Sequence, residues 1–165
     1  METSGMRKRS PRIFYRVYDE GSQARMTKSG IWAAGQVKVD FGKSSFRLMR
    51  CLEEHLEWLS RKASPFVSVY SNERAAFREA GRRRENGKKH VTITCINTRR
   101  IGYGRVQYRN VRRLAEELDV KIAKKAEHNS KYEYVFLYHI PREVITCVRK
   151  YDSRCRRWRR VHSAY

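Results

Sequence analysis

Acidic residues are scarce in this chain. Only 17 Asp and Glu stand against 38 Lys and Arg in 165 residues, giving a formal charge of +21. Such a surface attracts polyanions, with nucleic acid the first candidate and acidic membranes the second. Long hydrophobic runs are also missing. No apolar stretch approaches the roughly 20 residues that a membrane-spanning helix needs. Met1 to Pro11 carries charges but no apolar segment of the kind a secretory signal contains. The chain is therefore expected in the cytoplasm or nucleus. Cysteine is limited to Cys51, Cys95, Cys147 and Cys155. No two of them form a CxxC pair and no His lies at finger spacing, so neither a zinc module nor another metal site is expected. Cys95 and Cys147 fall inside apolar strands and read as small core residues with reduced thiols.

What is present reads as one globular domain. Hydrophobic residues make up 40% and charged residues 33% of the chain, a balance that supports a core rather than disorder. The domain is expected over residues 13–151, between a basic N-terminus (1–12) and a basic tail (152–165). Ile13 to Tyr18 reads as a strand by its β-branched and aromatic content. The chain from the turn at Asp19-Glu20-Gly21-Ser22 to Lys43 is rich in Gly and reads as a loop, with Ile31 to Ala34 as a short anchor. Ser44 or Ser45 can cap a helix running to about Lys62. Phe46, Met49, Leu52, Leu56 and Leu59 recur along one face of it. Glu53, Glu54 and Glu57 lie on its solvated face; His55 and Trp58 fit either role. A strand over Pro65 to Tyr70 precedes a helix capped by Ser71 or Asn72 and stopped at Gly87. Strands follow at Val91 to Ile96 and Arg105 to Tyr108, then a helix from Val111 to Asp119 capped by Asn110. Lys121 to Lys131 reads as a basic loop. Two final strands run from Glu133 and from Val144 to Lys150. This order implies an α+β fold.

Glu133 stands out chemically. It is one carboxylate at the entrance of an apolar, aromatic run, Tyr132 to Pro141. An acid there is costly to desolvate unless it is paired or faces a cleft. A carboxylate at the edge of an apolar surface suits acid/base or sugar-oxygen chemistry. Arg16 closes the first strand, where its fork can grip a phosphate. Ser68 lies mid-strand, and its hydroxyl can orient a neighbouring carboxylate. Taken singly, Arg16 reads as a solvated strand end, Ser68 as a small polar strand residue and Glu133 as the partner of a nearby Lys.

In this order and setting the three resemble the Arg-Ser-Glu class of ADP-ribosyltransferases, the cholera-toxin-like group that includes the DNA-modifying pierisins. Phe14-Tyr15-Arg16 with Asp19 matches the first motif of that class. Phe66-Val67-Ser68 matches the beginning of the second. Glu133, the run to Ile140-Pro141, Ile145 and the strand after it match the third. The chain is also similar to a domain of unknown function common in filamentous fungi. Both likenesses span about residues 13–150. The resemblance implies a split β-sandwich with flanking helices and NAD held in a cleft between two small sheets. It implies that Tyr15, Arg16, Ser68 and Tyr70 bind NAD, with Arg16 on a phosphate. Tyr70 and Phe77 are the aromatics considered for stacking on nicotinamide. Ser68 would fix the Glu133 rotamer, and Glu133 would accept the ribose 2′-hydroxyl and favour an oxocarbenium-like ribose as nicotinamide leaves.

Two positions depart from the pattern. Val69-Tyr70 stands where the class has Thr-Ser, which removes hydroxyls from the site. Lys131 stands two residues before Glu133, where members that modify arginine carry Glu and others Gln. A charged lysine is no base, so protein arginine is disfavoured as acceptor; Glu127 could substitute only if the preceding loop is realigned. Nucleic acid, water or an inactive site remain alternatives. For a nucleic-acid acceptor, the candidate phosphate contacts are Arg99, Arg100, Arg112, Arg113, Arg156 and Arg157, and Trp158 could stack on a base.

Overall fold

The computed structural model describes residues 11–43, 45–57, 62–102 and 104–153. Its architecture is α+β, with four helices and nine strands among those residues. Six strands form one antiparallel sheet in the order β6-β7-β4-β1-β5-β9: β1 (Ile13–Tyr18), β4 (Phe66–Tyr70), β5 (Thr92–Asn97), β6 (Tyr108–Asn110), β7 (Glu133–Leu137) and β9 (Ile145–Lys150). A second sheet, β2 (Arg25–Thr27), β3 (Gly30–Trp32) and β8 (His139–Pro141), occupies part of what the sequence presents as a loop. Strands of three residues carry too little alternation to be seen in sequence. Gly30 makes the close approach possible: its φ is +131°, and a Cβ there would lie 2.1 Å from the Ile140 carbonyl oxygen.

Alternation along the strands sorts the core into three clusters. On one face of the large sheet, Phe14, Val67, Val69, Ile96 and Phe136 pack with Ile31 and Ile140 of the small sheet. On the other face lie two separate cores. One gathers Phe66, Val135 and Leu137 under α1 (Phe46–Leu56) and α3 (Val111–Glu117). The other gathers Val17, Tyr70 and Ile93 under the alanine face of α2 (Glu73–Glu85). Phe66 and Tyr70 thus belong to different cores on the same face, with Ser68 between them.

Three helix starts follow the sequence signals, whereas α1 stops at Leu56 rather than near Lys62, with Glu57 as its C-cap. The Ser45 side chain accepts from the Leu48 N–H, the Asn72 side chain from Ala75 and the Asn110 side chain from Arg113. Gly87 takes the left-handed conformation, φ +77°, just past α2. Other expectations are corrected as well: the short strand expected at Arg105 to Tyr108 lies at Tyr108–Asn110. The buried stripe of α1 is Leu48, Cys51 and Leu52, and Phe46 is 74% exposed. Lys121 to Lys131 is not a loop throughout, because α4 (Lys124–Ser130) forms there. Its N-cap, Ala123, offers no capping side chain; tertiary bonds hold it instead. Arg112 donates to the Ser130 hydroxyl and the Glu127 carbonyl. Cys95 is buried and Cys147, its in-register neighbour on β9, is half-buried; both are free thiols.

Candidate active site

The pairing of β1 opens the sheet. β1 runs in register with β5 over six residue pairs but meets β4 at only one, Tyr15↔Tyr70. Past that pair the strand separation leaves the Ser68 carbonyl without a ladder partner from β1. Arg16, 6% exposed, fills this place. Its Nη1 donates to the Ser68 carbonyl at 3.1 Å and its Nη2 to the Ala24 carbonyl at 3.2 Å. Burial and the neighbouring Arg83 push the guanidinium down to about 10, so it stays cationic at neutral pH.

A cleft of about 540 Å³ lies here, lined by Arg16, Ser68, Tyr70 and Glu133 from the large sheet. His55 of α1, Glu79, Arg82 and Arg83 of α2 and Ala126 and Asn129 of α4 form its walls. From the side of the small sheet only Gln23 and Ala24, which lead into β2, contribute. The cleft therefore lies between helices over the split sheet, not between two sheets.

Glu133 is half-buried on the cleft floor, diagonal to Ser68 across the β4–β7 ladder, where Tyr70 pairs with Glu133 and Ser68 with Val135. Desolvation pushes its carboxyl up to about 7; the Ser68 hydrogen bond and Arg83 oppose this, and Glu79 reinforces it. Ser68 is itself held. Its Oγ lies 2.6 Å from His55 Nε2, and His55 Nδ1 lies 2.7 Å from Ser64 Oγ. Burial and Arg16 lower His55 to about 4, so the ring is neutral at neutral pH. The donor and acceptor roles in this chain depend on the His55 tautomer. Phe66 N–H donates to Ser64 Oγ. In the tautomer in which Ser64 donates to Nδ1, Nε2–H donates to Ser68 and the Ser68 hydroxyl proton is left for Glu133.

A second carboxylate of the cleft, that of Glu79, is neutralised. Burial would raise Glu79, but hydrogen bonds from Arg82 (2.8 Å, to both carboxylate oxygens) and Arg83 (2.7 Å) outweigh it and hold the group ionised. Arg83 also reaches Asp19 at 3.0 Å, which ties α2 to the end of β1. One uncompensated acid with a raised proton affinity and one paired acid thus share the cleft, a division of roles common to catalytic sites.

A profile described as Domain of unknown function (DUF7587) matches residues 9–154. The chain belongs to the DUF7587 family. No curated protein matches it.

In this DUF7587 domain the fold brings together Arg16, Ser68 and Glu133, residues far apart in sequence. Tyr15 and Phe77 do not line the cleft; both pack against the core beneath α2. Tyr70 lines it but is largely buried in the same core. Lys131 ends α4, with its ammonium 4.7 Å from the centre of the Tyr132 ring. Glu127 is exposed and does not line the cleft. Glu54 and Glu57 are not simply solvated, since both reach the rim. Arg112 is engaged between α3 and α4, whereas Arg99, Arg100 and Arg113 are exposed. Arg156, Arg157 and Trp158 lie outside the described residues. Among those described, no cluster of His, Cys, Asp or Glu is arranged to hold a metal, and no helix is long and apolar enough to cross a membrane.

His55 is the residue a sequence reading leaves open. Leu48, Cys51, Leu52 and His55 follow the i, i+3, i+4, i+7 spacing of a buried stripe, and that spacing is the signal which places the ring inside.

The two shifted groups act oppositely on stability. The unfolded Glu133 releases its proton near 4.5 and the folded one near 7. Its contribution is full below about pH 4.5 and lost as pH rises to 7. His55, lowered to about 4 when folded, contributes above about 6.5 and loses this as pH falls to 4. Denaturant titrations of the wild type and Glu133→Gln should therefore diverge from pH 4.5 to 7. The variant should gain about 1–3 kcal/mol relative to wild type across that range. Parallel stability curves would show that Glu133 titrates normally.

Proposed function

We propose that this domain is an NAD-dependent ADP-ribosyltransferase with NAD as substrate. The observation that carries the reading is the convergence of Ser68 and Glu133 in one cleft, with the serine oriented by His55 and the carboxyl shifted upward. The cleft's volume is in the range of small-molecule sites. Its cations suit a pyrophosphate. Arg16 donates to two carbonyls and Arg82 is paired with Glu79, so a pyrophosphate would share these cations with their present partners. In the reaction the N-glycosidic bond breaks with its electron pair going to nicotinamide. Glu133, ionised, hydrogen-bonds the ribose 2′-hydroxyl and stabilises the positive ribose carbon. An acceptor oxygen or nitrogen then bonds to that carbon and loses its proton.

Lys131 favours an acceptor other than protein arginine. Nucleic acid fits the charge of the chain; water would make the protein an NAD glycohydrolase. A nucleic-acid-binding module on an inactive transferase fold is the reading from a different class. Incubation with NAD labelled in its adenylate part, together with cell protein, RNA and DNA, separates these outcomes. Label on nucleic acid is expected. Free ADP-ribose would identify a glycohydrolase, and intact NAD would leave only the binding module.

A further inference from the structure

A second cavity lies at the opposite end of β1 from the cleft. It is a groove of about 1160 Å³ between Pro11-Arg12, the turn after β5 and the approach to β6. Four residue steps, from Arg12 to Arg16, separate it from the cleft by about 14 Å of strand. Arg12, Arg99 and Arg109 enter it from three separate segments of the chain. The single acid in its lining is Asp40, whose carboxylate accepts from the Gly42 N–H. Among the described residues, no carboxylate lies within ion-pair distance of Arg99 or Arg109. Arg109 is held in place, with its guanidinium 5.3 Å from the centre of the Phe41 ring and Nη1 on its own backbone Tyr108 carbonyl. The groove's edge is bare backbone at Gly102 and Gly104. Gly104 has φ +82°, and a Cβ there would meet nothing within 4 Å.

We infer that this groove binds a single strand of nucleic acid through its phosphates. The volume exceeds the roughly 1,000 Å³ upper range of pockets built for one small molecule. Arginines on separate segments match a repeating charge, and a concave trough fits a strand better than the flat surface of a membrane. Bare glycine backbone lets a sugar-phosphate chain approach closely. The inference is independent of NAD chemistry, because it concerns binding alone.

The test is fluorescence anisotropy of the full chain with a labelled single-stranded oligonucleotide, as RNA and as DNA, over a series of salt concentrations. A chain this basic will hold nucleic acid loosely anywhere, so the comparison is between charge-matched variants. Arg99→Gln/Arg109→Gln removes two charges from the groove; Arg74→Gln/Arg78→Gln removes two exposed ones from α2. The groove pair should weaken binding at least about tenfold more than the α2 pair. It should also lower the salt slope by about 1.4, about 0.7 for each phosphate of a single strand left without its arginine. Arg99→Gln alone, expected to lower the slope by about 0.7, carries the test if the double variant unfolds. Equal weakening by both pairs, or no saturable binding by the wild type, would overturn the inference. NAD cleavage measured on the same variants should be unchanged, which separates failure of this site from failure of the cleft.

Discussion

Glu133→Gln is expected to abolish nicotinamide release from NAD, by at least about a hundredfold, while the domain stays folded. Gln preserves the shape and can still accept from Ser68. It cannot place a negative charge beside the ribose carbon as the glycosidic bond breaks, and fixed charges of this kind supply roughly 3–4 kcal/mol to such transition states. The setting strengthens the argument. Of the other acids on the cleft, Glu79 is matched by Arg82 and Arg83 and Glu54 by Lys62, while Glu57 stands exposed at the rim, so none places a free buried charge beside the ribose. A carboxyl shifted to about 7 also implies a pH–rate profile that rises through that region in the wild type. Nicotinamide release by the variant at the wild-type rate would remove Glu133 from the mechanism.

Arg16→Ala is expected to destabilise the domain by about 2–4 kcal/mol, measured by urea unfolding. The substitution strands two acceptors, the Ser68 and Ala24 carbonyls, where the sheet has already parted. A buried acceptor left unpaired costs roughly 1–3 kcal/mol. Removing a buried cation near Arg83 returns part of that, which sets the lower end. Lys should not rescue the loss, since one ammonium cannot reproduce a planar fork directed at two carbonyls. A change within about 0.5 kcal/mol would mean that neither bond matters to the fold. The sequence suggests a phosphate grip; the geometry gives this arginine a structural task first.

Much of the frame is legible because its signals are local. Asn72, Asn110 and Ser45 cap helices as their residue types lead one to expect, and Gly87 closes α2. β1, β4 and β7 announce themselves by β-branched and aromatic runs. The failures share a different cause. β2 and β3 are three residues each and exist because Gly30 allows the β8 backbone to approach. α4 lacks both a cap and an apolar stripe, and stands on bonds from Arg112 and Ser130. His55 is obscured because the α1 stripe can be drawn through Phe46 or through Leu48, and only tertiary packing selects the second. Glu133 and Ser68 can be singled out from sequence. That the serine is gripped from behind by a neutral imidazole cannot, since the partner lies on another element.

The two cores that flank Ser68 share no buried residue. The α1/α3 side and the α2 side can therefore loosen as separate units, each breathing at its own rate in hydrogen exchange. A dinucleotide seated across the seam would touch both. Occupancy would then fuse two independent opening events into one, so protection should rise together in α1 and α2 on adding substrate, far beyond the residues it contacts. On the proposed reading the cleft is also a joint, and a bound dinucleotide is what would stiffen it.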